Sequence, residues 1–319
     1  MKDAILQVND LTKHFNIGKG SVLQAVNEVS FEVKKGEIFG LVGESGCGKS
    51  TIGRTIMGLY NKTSGDVLYD GENVHELSDD DKWPFYRKMQ MIFQDPYASL
   101  NPRFTVSEVI SDPMEVHGMS RNRKERMEKV YQLLEEVGLN RDHANRYPHE
   151  FSGGQRQRIG IARALALEPE FIIADEPISA LDVSVQAQVV NLLKKLQMEK
   201  GLTFLFIAHD LSMVKYISDR IGVMYLGNLV ELTISNQLYE TPLHPYTKAL
   251  LSAIPIPDPD IEETRERIIL KGELPSPINP PSGCVFRTRC QMAMDICAQV
   301  KPEWREVEPN HFVACHLYN

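Results

Sequence analysis

Residues 43–51 read GESGCGKST. A glycine, four intervening residues and then Gly-Lys-Ser is the spacing of a phosphate-binding loop. Gly43, Gly46 and Gly48 let the backbone curl so that successive N–H groups face phosphate oxygens. A helix starting near Lys49 would add the positive end of its dipole. Lys49 is expected to reach the β- and γ-phosphates, and Ser50 to offer its hydroxyl to Mg2+. Glu44, Ser45, Cys47 and Thr51 complete the loop. A second stretch, FIIADE at 171–176, is an apolar run ending in two acids. Asp175 is placed to order the water shell of Mg2+, and Glu176 to polarise an attacking water as general base. Together the two stretches imply hydrolysis of a nucleoside triphosphate.

A third stretch narrows the chemistry. In FSGGQRQR, 151–158, Ser152, Gly153 and Gly154 lead into a helical pattern from Gln155. A hydroxyl and bare backbone donors at a helix start form a second anion site. One chain therefore carries two phosphate-recognising helix ends.

These residues need a scaffold that sets them at the ends of strands and helices. The apolar run Ile38-Phe39-Gly40-Leu41-Val42 predicts a buried strand delivering the loop at Gly43, and STIGRTIMGL (50–59), following Lys49, has helical spacing. Val26, Val29, Phe31 and Val33 are spaced for another strand, and SGDVLYDGENV (64–74) reads as strand and Asp-Gly turn. MQMIF (89–93), FIIAD (171–175) and FLFIA (204–208) are short apolar strands, with helices at 155–167 and 183–199. Strand-helix-strand order predicts a parallel sheet with right-handed crossovers. The helical stretch within about 95–165 interrupts it as an inserted subdomain. Seven of the eighteen prolines fall between Pro255 and Pro281, which reads as an extended arm. The expected organisation is an ATPase domain at 1–254, a Pro-rich linker at 255–281 and a four-cysteine extension at 282–319.

The motifs, taken in order, resemble the ATP-binding cassette (ABC) family. SGGQ, with Phe151 before it, is similar to the family's LSGGQ. The resemblance implies that Phe15 stacks on adenine. It also implies that Gln94 of FQDP touches Mg2+ and the attacking water, and that SALD, ending at Asp182, is the D-loop. His209 of IAHD would contact the γ-phosphate. Two such domains would pair head to tail with ATP between them. Lys49 and His209 of one chain and Ser152, Gly153, Gly154 and Gln155 of the other would hold it. The implied fold is an α/β P-loop NTPase parallel-sheet core with an antiparallel β subdomain and an inserted helical subdomain, followed here by the Pro-rich arm and cysteine-rich tail.

QDPYASLNPR (94–103), RYPHEFSGG (146–154) and LHPYTKALLSAIP (243–255) look like the ATPase subunits of the oligopeptide/dipeptide and nickel permease group. That implies an importer motor for oligopeptides or dipeptides, with nickel as the alternative. The implied partners are a second, related ATPase subunit, two membrane-spanning permease subunits and an extracellular or periplasmic substrate-binding protein. The cytoplasmic face of the membrane is the implied location. The chain has no charged-then-apolar opening and no run of 18 apolar residues, so it is not expected to cross a membrane by itself. A net charge of −8 argues against binding nucleic acid by phosphate neutralisation. The DNA-acting ABC ATPases carry inserted zinc modules or coiled coils that are absent here.

Cysteines are concentrated at the end of the chain. Cys284, Cys290, Cys297 and Cys315 are spaced C-x5-C-x6-C-x17-C, without the short knuckles of structural zinc sites. Four thiolates at wide spacing suit a 4Fe–4S cluster; Zn2+ and unmetallated thiols are the alternatives. The resemblance to the permease ATPases extends into this segment and implies such a cluster for some members. His311 and His316 are expected at the surface. The intervening positions of such a loop tolerate many residues, so Cys47 reads first as a filler; a thiol at a helix N-terminus can nevertheless be acidified and reactive, and slow alkylation with protection by ATP is expected.

Overall fold

The computed structural model describes residues 3–18, 20–119, 122–255 and 267–318. In chain order the strands and helices begin with β1 (Ala4–Asn16), β2 (Val22–Lys34), β3 (Ile38–Val42), α1 (Lys49–Ile56), β4 (Ser64–Tyr69) and β5 (Glu72–Asn73). There follow α2 (Asp79–Lys88), β6 (Met89–Ile92), α3 (Val106–Val116), α4 (Arg123–Glu136) and α5 (Gly153–Leu165). Next come β7 (Phe171–Asp175), α6 (Val183–Lys200), β8 (Thr203–Ile207), α7 (Leu211–Ile217), β9 (Arg220–Tyr225) and β10 (Asn228–Ile234). The chain ends through α8 (Ser235–Glu240), α9 (Pro245–Ser252), α10 (Ile296–Gln299), β11 (Trp304–Glu308) and β12 (His311–Ala314). These residues form two compact units that interleave along the sequence, one containing residues 68–208 and the other residues 39–67 and 209–319.

In the first unit β6, β7 and β8 run parallel, in the register Ile92↔Ala174 and Asp175↔Ile207. Every residue of β7 and β8 is buried, which is why these strands read as unbroken apolar runs and not as alternating patterns. The expected helical insertion is α3, α4 and α5, whose starts are set by local chemistry. Thr105 and Glu108 form a reciprocal cap on α3, Asn122 caps α4, and Ser152 with Gln155 caps α5. Their buried faces bring together Val109 and Ile110 of α3, Leu133 and Leu134 of α4 and Ile159 of α5. Each such side chain contributes about 1.5–3 kcal/mol of burial.

In the second unit β3 lies parallel to β9, and β9 turns back into antiparallel β10. The sequence patterning had not indicated β11 and β12. They form a hairpin whose inner strand pairs with β10, Leu232 opposite Phe312. The cysteine-rich segment thus ends as added strands of this unit's sheet. Residues 256–266 of the expected Pro-rich arm lie outside the described residues. Further along the arm, the Pro277 carbonyl accepts from Gln24 N–H at 3.0 Å.

His311 and His316 are buried, which corrects the surface placement expected from sequence. His311 is the first residue of β12, with its Nε2 2.7 Å from Glu231 Oε1, and His316 Nε2 lies 2.9 Å from the Val300 carbonyl. Histidine tolerates the interior when a ring nitrogen finds a polar partner, and sequence spacing does not reveal that partner.

Among the described residues no helix is long and apolar enough to cross a membrane.

Candidate active site

Phe15, the loop 43–51 and His209 belong to the second unit. Gln94, Ser152, Gly153, Gly154, Gln155, Asp175, Glu176 and Asp182 belong to the first. Each half has its own geometry.

In the second unit β3 hands the chain to the loop and α1 takes it away. Gly43 adopts φ +151°, and a Cβ there would lie 2.2 Å from the Met224 carbonyl oxygen. Gly48, the residue before α1, has φ +103°, and its Cβ would meet the Ala25 carbonyl at 2.1 Å. Both positions require glycine on conformation and on space. Lys49 is 3% exposed, and its ammonium folds back on the loop, donating to Gly43 O at 2.8 Å and Glu44 O at 3.0 Å. A buried ammonium needs acceptors, and the loop supplies them. Ser45 and Gly46 are exposed at its crest, while Ser50 and Thr51 are half-buried in the first turn of α1.

Cys47 departs from expectation. It is 1% exposed, and burial raises its thiol pKa, against the opposing pull of Lys49. Its position at a helix start does not acidify it, because desolvation penalises the thiolate more than the nearby ammonium favours it. Phe15 is half-buried, edge-on to Tyr60 at 5.4 Å, with the Lys13 ammonium 4.5 Å from its ring centre. His209 is exposed just after β8.

In the first unit Asp175 is fully buried at the end of β7, and Glu176 turns the chain out of the strand. Glu176 has φ +46°, a left-handed conformation costing a non-glycine residue about 1–3 kcal/mol. Its backbone is locked there: its N–H donates to Ile207 O at 2.9 Å, and its carbonyl accepts from Ser179 N–H at 3.2 Å. Its side chain is met by Gln94, whose Nε2 donates to Glu176 Oε2 at 2.8 Å. The two residues, 82 apart in sequence, are thus in direct contact. At the start of α5, Ser152 Oγ accepts from Gln155 N–H at 3.4 Å, and Gln155 Oε1 accepts from Ser152 N–H at 3.0 Å. Ser152 is exposed, while Gly154 lets α6 approach so closely that a Cβ would sit 2.3 Å from Val185. Asp182 precedes α6 with an exposed side chain that makes no cap.

The four late cysteines are free thiols. Cys284, Cys297 and Cys315 are buried and Cys290 is half-buried. Burial pushes Cys284 up to about 11 and raises Cys290 and Cys315. The expected 4Fe–4S or Zn2+ cage is not formed: among the described residues no group of three or more His, Cys, Asp or Glu is arranged to hold a metal ion.

Sequence reading missed a set of supporting residues. Glu231, fully buried in β10, accepts from Leu243 N–H at 2.7 Å and His244 N–H at 2.9 Å. His244 Nδ1 in turn accepts from Tyr246 N–H at 3.1 Å, and Tyr246 Oη accepts from Glu44 N–H in the phosphate loop at 2.9 Å. The stretch Leu243-His244-Pro245-Tyr246 is therefore a bracket running from the sheet to the loop. Its hallmark sequence is visible in the chain, but the buried acid it hangs from is not.

Residues 26–179 match the family described as ABC transporter, and residues 230–297 match the oligopeptide/dipeptide transporter C-terminal region. The oligopeptide transport ATP-binding protein OppF of Bacillus subtilis (strain 168) is 61% identical over 316 residues, covering 99% of this chain and 97% of the relative. AppF of the same organism, also an oligopeptide transport ATP-binding protein, is 57% identical over 325 residues, covering 100% and 98%. Among solved structures, the dimeric post-hydrolysis state of an ATP-binding cassette bound to ADP and Pi superposes with a TM-score of 0.66 at 31% identity. It covers 72% of this chain and 98% of its own.

Proposed function

This chain belongs to the ABC transporter family of ATP-binding proteins, and we propose that it is the ATP-hydrolysing subunit of a membrane importer for oligopeptides or dipeptides. The observation that carries the reading is full-length identity of 61% to a protein named for oligopeptide transport. The matching C-terminal region at 230–297 supports peptides over nickel. DNA-acting ABC ATPases are disfavoured by the net charge of −8.

Lys49 and the backbone of 43–51 bind the β- and γ-phosphates of ATP, Phe15 takes the adenine, and His209 contacts the γ-phosphate. The donors assigned to Mg2+, namely a hydroxyl from Ser50, an amide from Gln94 and a buried carboxylate from Asp175, are the oxygen chemistry that this ion prefers. Bound there, Mg2+ would neutralise the charge that builds up on the phosphates. Lys49 must leave Gly43 O and Glu44 O to reach a phosphate, so nucleotide exchanges one set of acceptors for another. Glu176 accepts a proton from the attacking water, and the Gln94 contact at 2.8 Å supports an orienting role for that amide.

The site is completed by a second copy of the same machinery. Ser152, Gly153, Gly154 and Gln155 of a related ATPase subunit close on the γ-phosphate, and Asp182 lies at the same junction. Phosphate release removes the bridging charge and opens the pair. Two permease subunits and a substrate-binding protein complete the importer, with this chain at the cytoplasmic face. The division into an ATPase domain at 1–254, a Pro-rich arm at 255–281 and an extension at 282–319 belongs to the same reading.

Metal uptake by the extension is the finer part of the proposal. All four sulfurs accept a backbone N–H, from Phe286, Met292, Met294 and Leu317, as cluster-ligating sulfurs commonly do. A 4Fe–4S cluster or Zn2+ would require the thiols to ionise and draw together. Iron and zinc analysis of anaerobically purified protein tests it: about four irons per chain supports the cluster, and metal-free protein removes it. The importer reading is tested by disrupting the gene and measuring uptake of labelled peptides and of nickel. Loss of peptide uptake is expected; loss of nickel uptake alone would overturn it.

A further inference from the structure

Arg289 lies in the cysteine-rich extension, one residue before Cys290, far in sequence from the phosphate loop. Its guanidinium nevertheless grips the loop. Nη1 donates to Glu44 Oε2 at 2.7 Å and Nη2 to Glu44 Oε1 at 3.1 Å, a two-pronged contact. The Arg289 side chain is 9% exposed and that of Glu44 29%, so the pair is sheltered from the solvent screening that weakens surface ion pairs.

The surroundings keep the guanidinium in place. It lies over the Tyr225 ring, 5.9 Å from its centre. Tyr225, Tyr246 and Phe286 pack together, with ring centres 4.7 to 5.4 Å apart. Tyr246 of that cluster accepts from the Glu44 N–H, so backbone and carboxylate of one loop residue are both held. Cys47 O accepts from Gly227 N–H at 2.9 Å on the same loop. Lys49 contacts the Glu44 carbonyl at 3.0 Å, which places the phosphate-seeking ammonium on the residue that Arg289 grips.

A carboxylate within a loop that binds a polyanion is an electrostatic liability. Unpaired, it repels the phosphates and competes for Lys49; paired with a guanidinium, it does neither. We propose that Arg289 is a positioning residue for the nucleotide site, by which the C-terminal extension neutralises and orients Glu44 and so sets the affinity of the loop for ATP. The proposal rests on the reading of residues 43–51 as the ATP loop.

The test is calorimetric titration of the full-length chain with Mg-ATP, alongside the thermal midpoint of each nucleotide-free variant. Arg289→Gln is expected to weaken ATP binding about tenfold, and Arg289→Lys, which keeps the charge but not the fork, to weaken it less. Adding Glu44→Gln to Arg289→Gln is expected to restore affinity to within about threefold of the parent, because no carboxylate is left to neutralise. A purely structural role would leave the double variant as weak as the single one, and that result overturns the proposal. Unchanged affinity in a folded Arg289→Gln that binds ATP overturns it as well. If Arg289→Gln does not fold, Arg289→Lys alone decides: affinity equal to the parent sinks the proposal. Failure of the parent chain itself to bind Mg-ATP would instead overturn the assignment of the loop.

Discussion

His311 Nε2 and Glu231 Oε1 stand 2.7 Å apart with both side chains fully buried, joining the last strand of the extension to β10. Glu231 also accepts the backbone N–H groups of Leu243 and His244. One buried acid therefore ties together the terminal hairpin and the bracket that reaches the phosphate loop. Removing one partner of such a buried hydrogen bond costs about 1–3 kcal/mol, because the group left behind stays desolvated with that bond unmade. His311→Ala is accordingly expected to lower the urea midpoint markedly and to open the terminal hairpin to proteases. A change below about 1 kcal/mol would contradict the pairing.

Glu176→Gln keeps the size and hydrogen-bonding reach of the side chain but removes its basicity. Hydrolysis is expected to fall at least about a hundredfold, at the lower end of what general-base catalysis supplies, while ATP binding persists. The variant should stay paired with its partner subunit in ATP. Gln94→Ala, which deletes the 2.8 Å contact to Glu176, should lower kcat less. Normal turnover by Glu176→Gln would remove the general-base assignment.

Cys47 is expected to resist iodoacetamide at neutral pH, with and without ATP, since burial keeps it a neutral thiol without solvent access. Labelling should appear only on unfolding, followed by mass spectrometry of the loop peptide. Slow labelling of the native chain that ATP protects against would restore the expectation drawn from helix position alone.

His244 is fully enclosed, and burial is the main reason its pKa is depressed to about 4 from 6.5. Between these values the unfolded chain binds a proton that the folded chain refuses, so stability falls as pH drops through this window and is complete above it. The loss amounts to about 3 kcal/mol at the acid end, at 1.36 kcal/mol per pH unit. Urea midpoints measured from pH 7 to 4 should show this slope, and His244→Gln should flatten it. An equal slope in the variant would show that other groups govern the acid limb.

The phosphate loop, the acids ending β7 and the Ser-Gly-Gly helix start were legible in the sequence because each is a local device. Glycine conformation, strand hydrophobicity and helix capping act over a few residues, and their spacing along the chain is their geometry. The strands β6, β7 and β8 were legible for the same reason, as short runs dominated by apolar residues.

What the chain determined by itself was thus the chemistry at each strand and helix end, and the order in which those ends occur. Only the tertiary structure decided that Gln94 meets Glu176, that Arg289 meets Glu44 and that His311 meets Glu231, pairs separated by 82, 245 and 80 residues. It also decided that Cys47 is held as a thiol, since desolvation depends on every atom that excludes water and not on position along a helix. Burial and long-range pairing are properties of the packed chain, and no spacing rule encodes them.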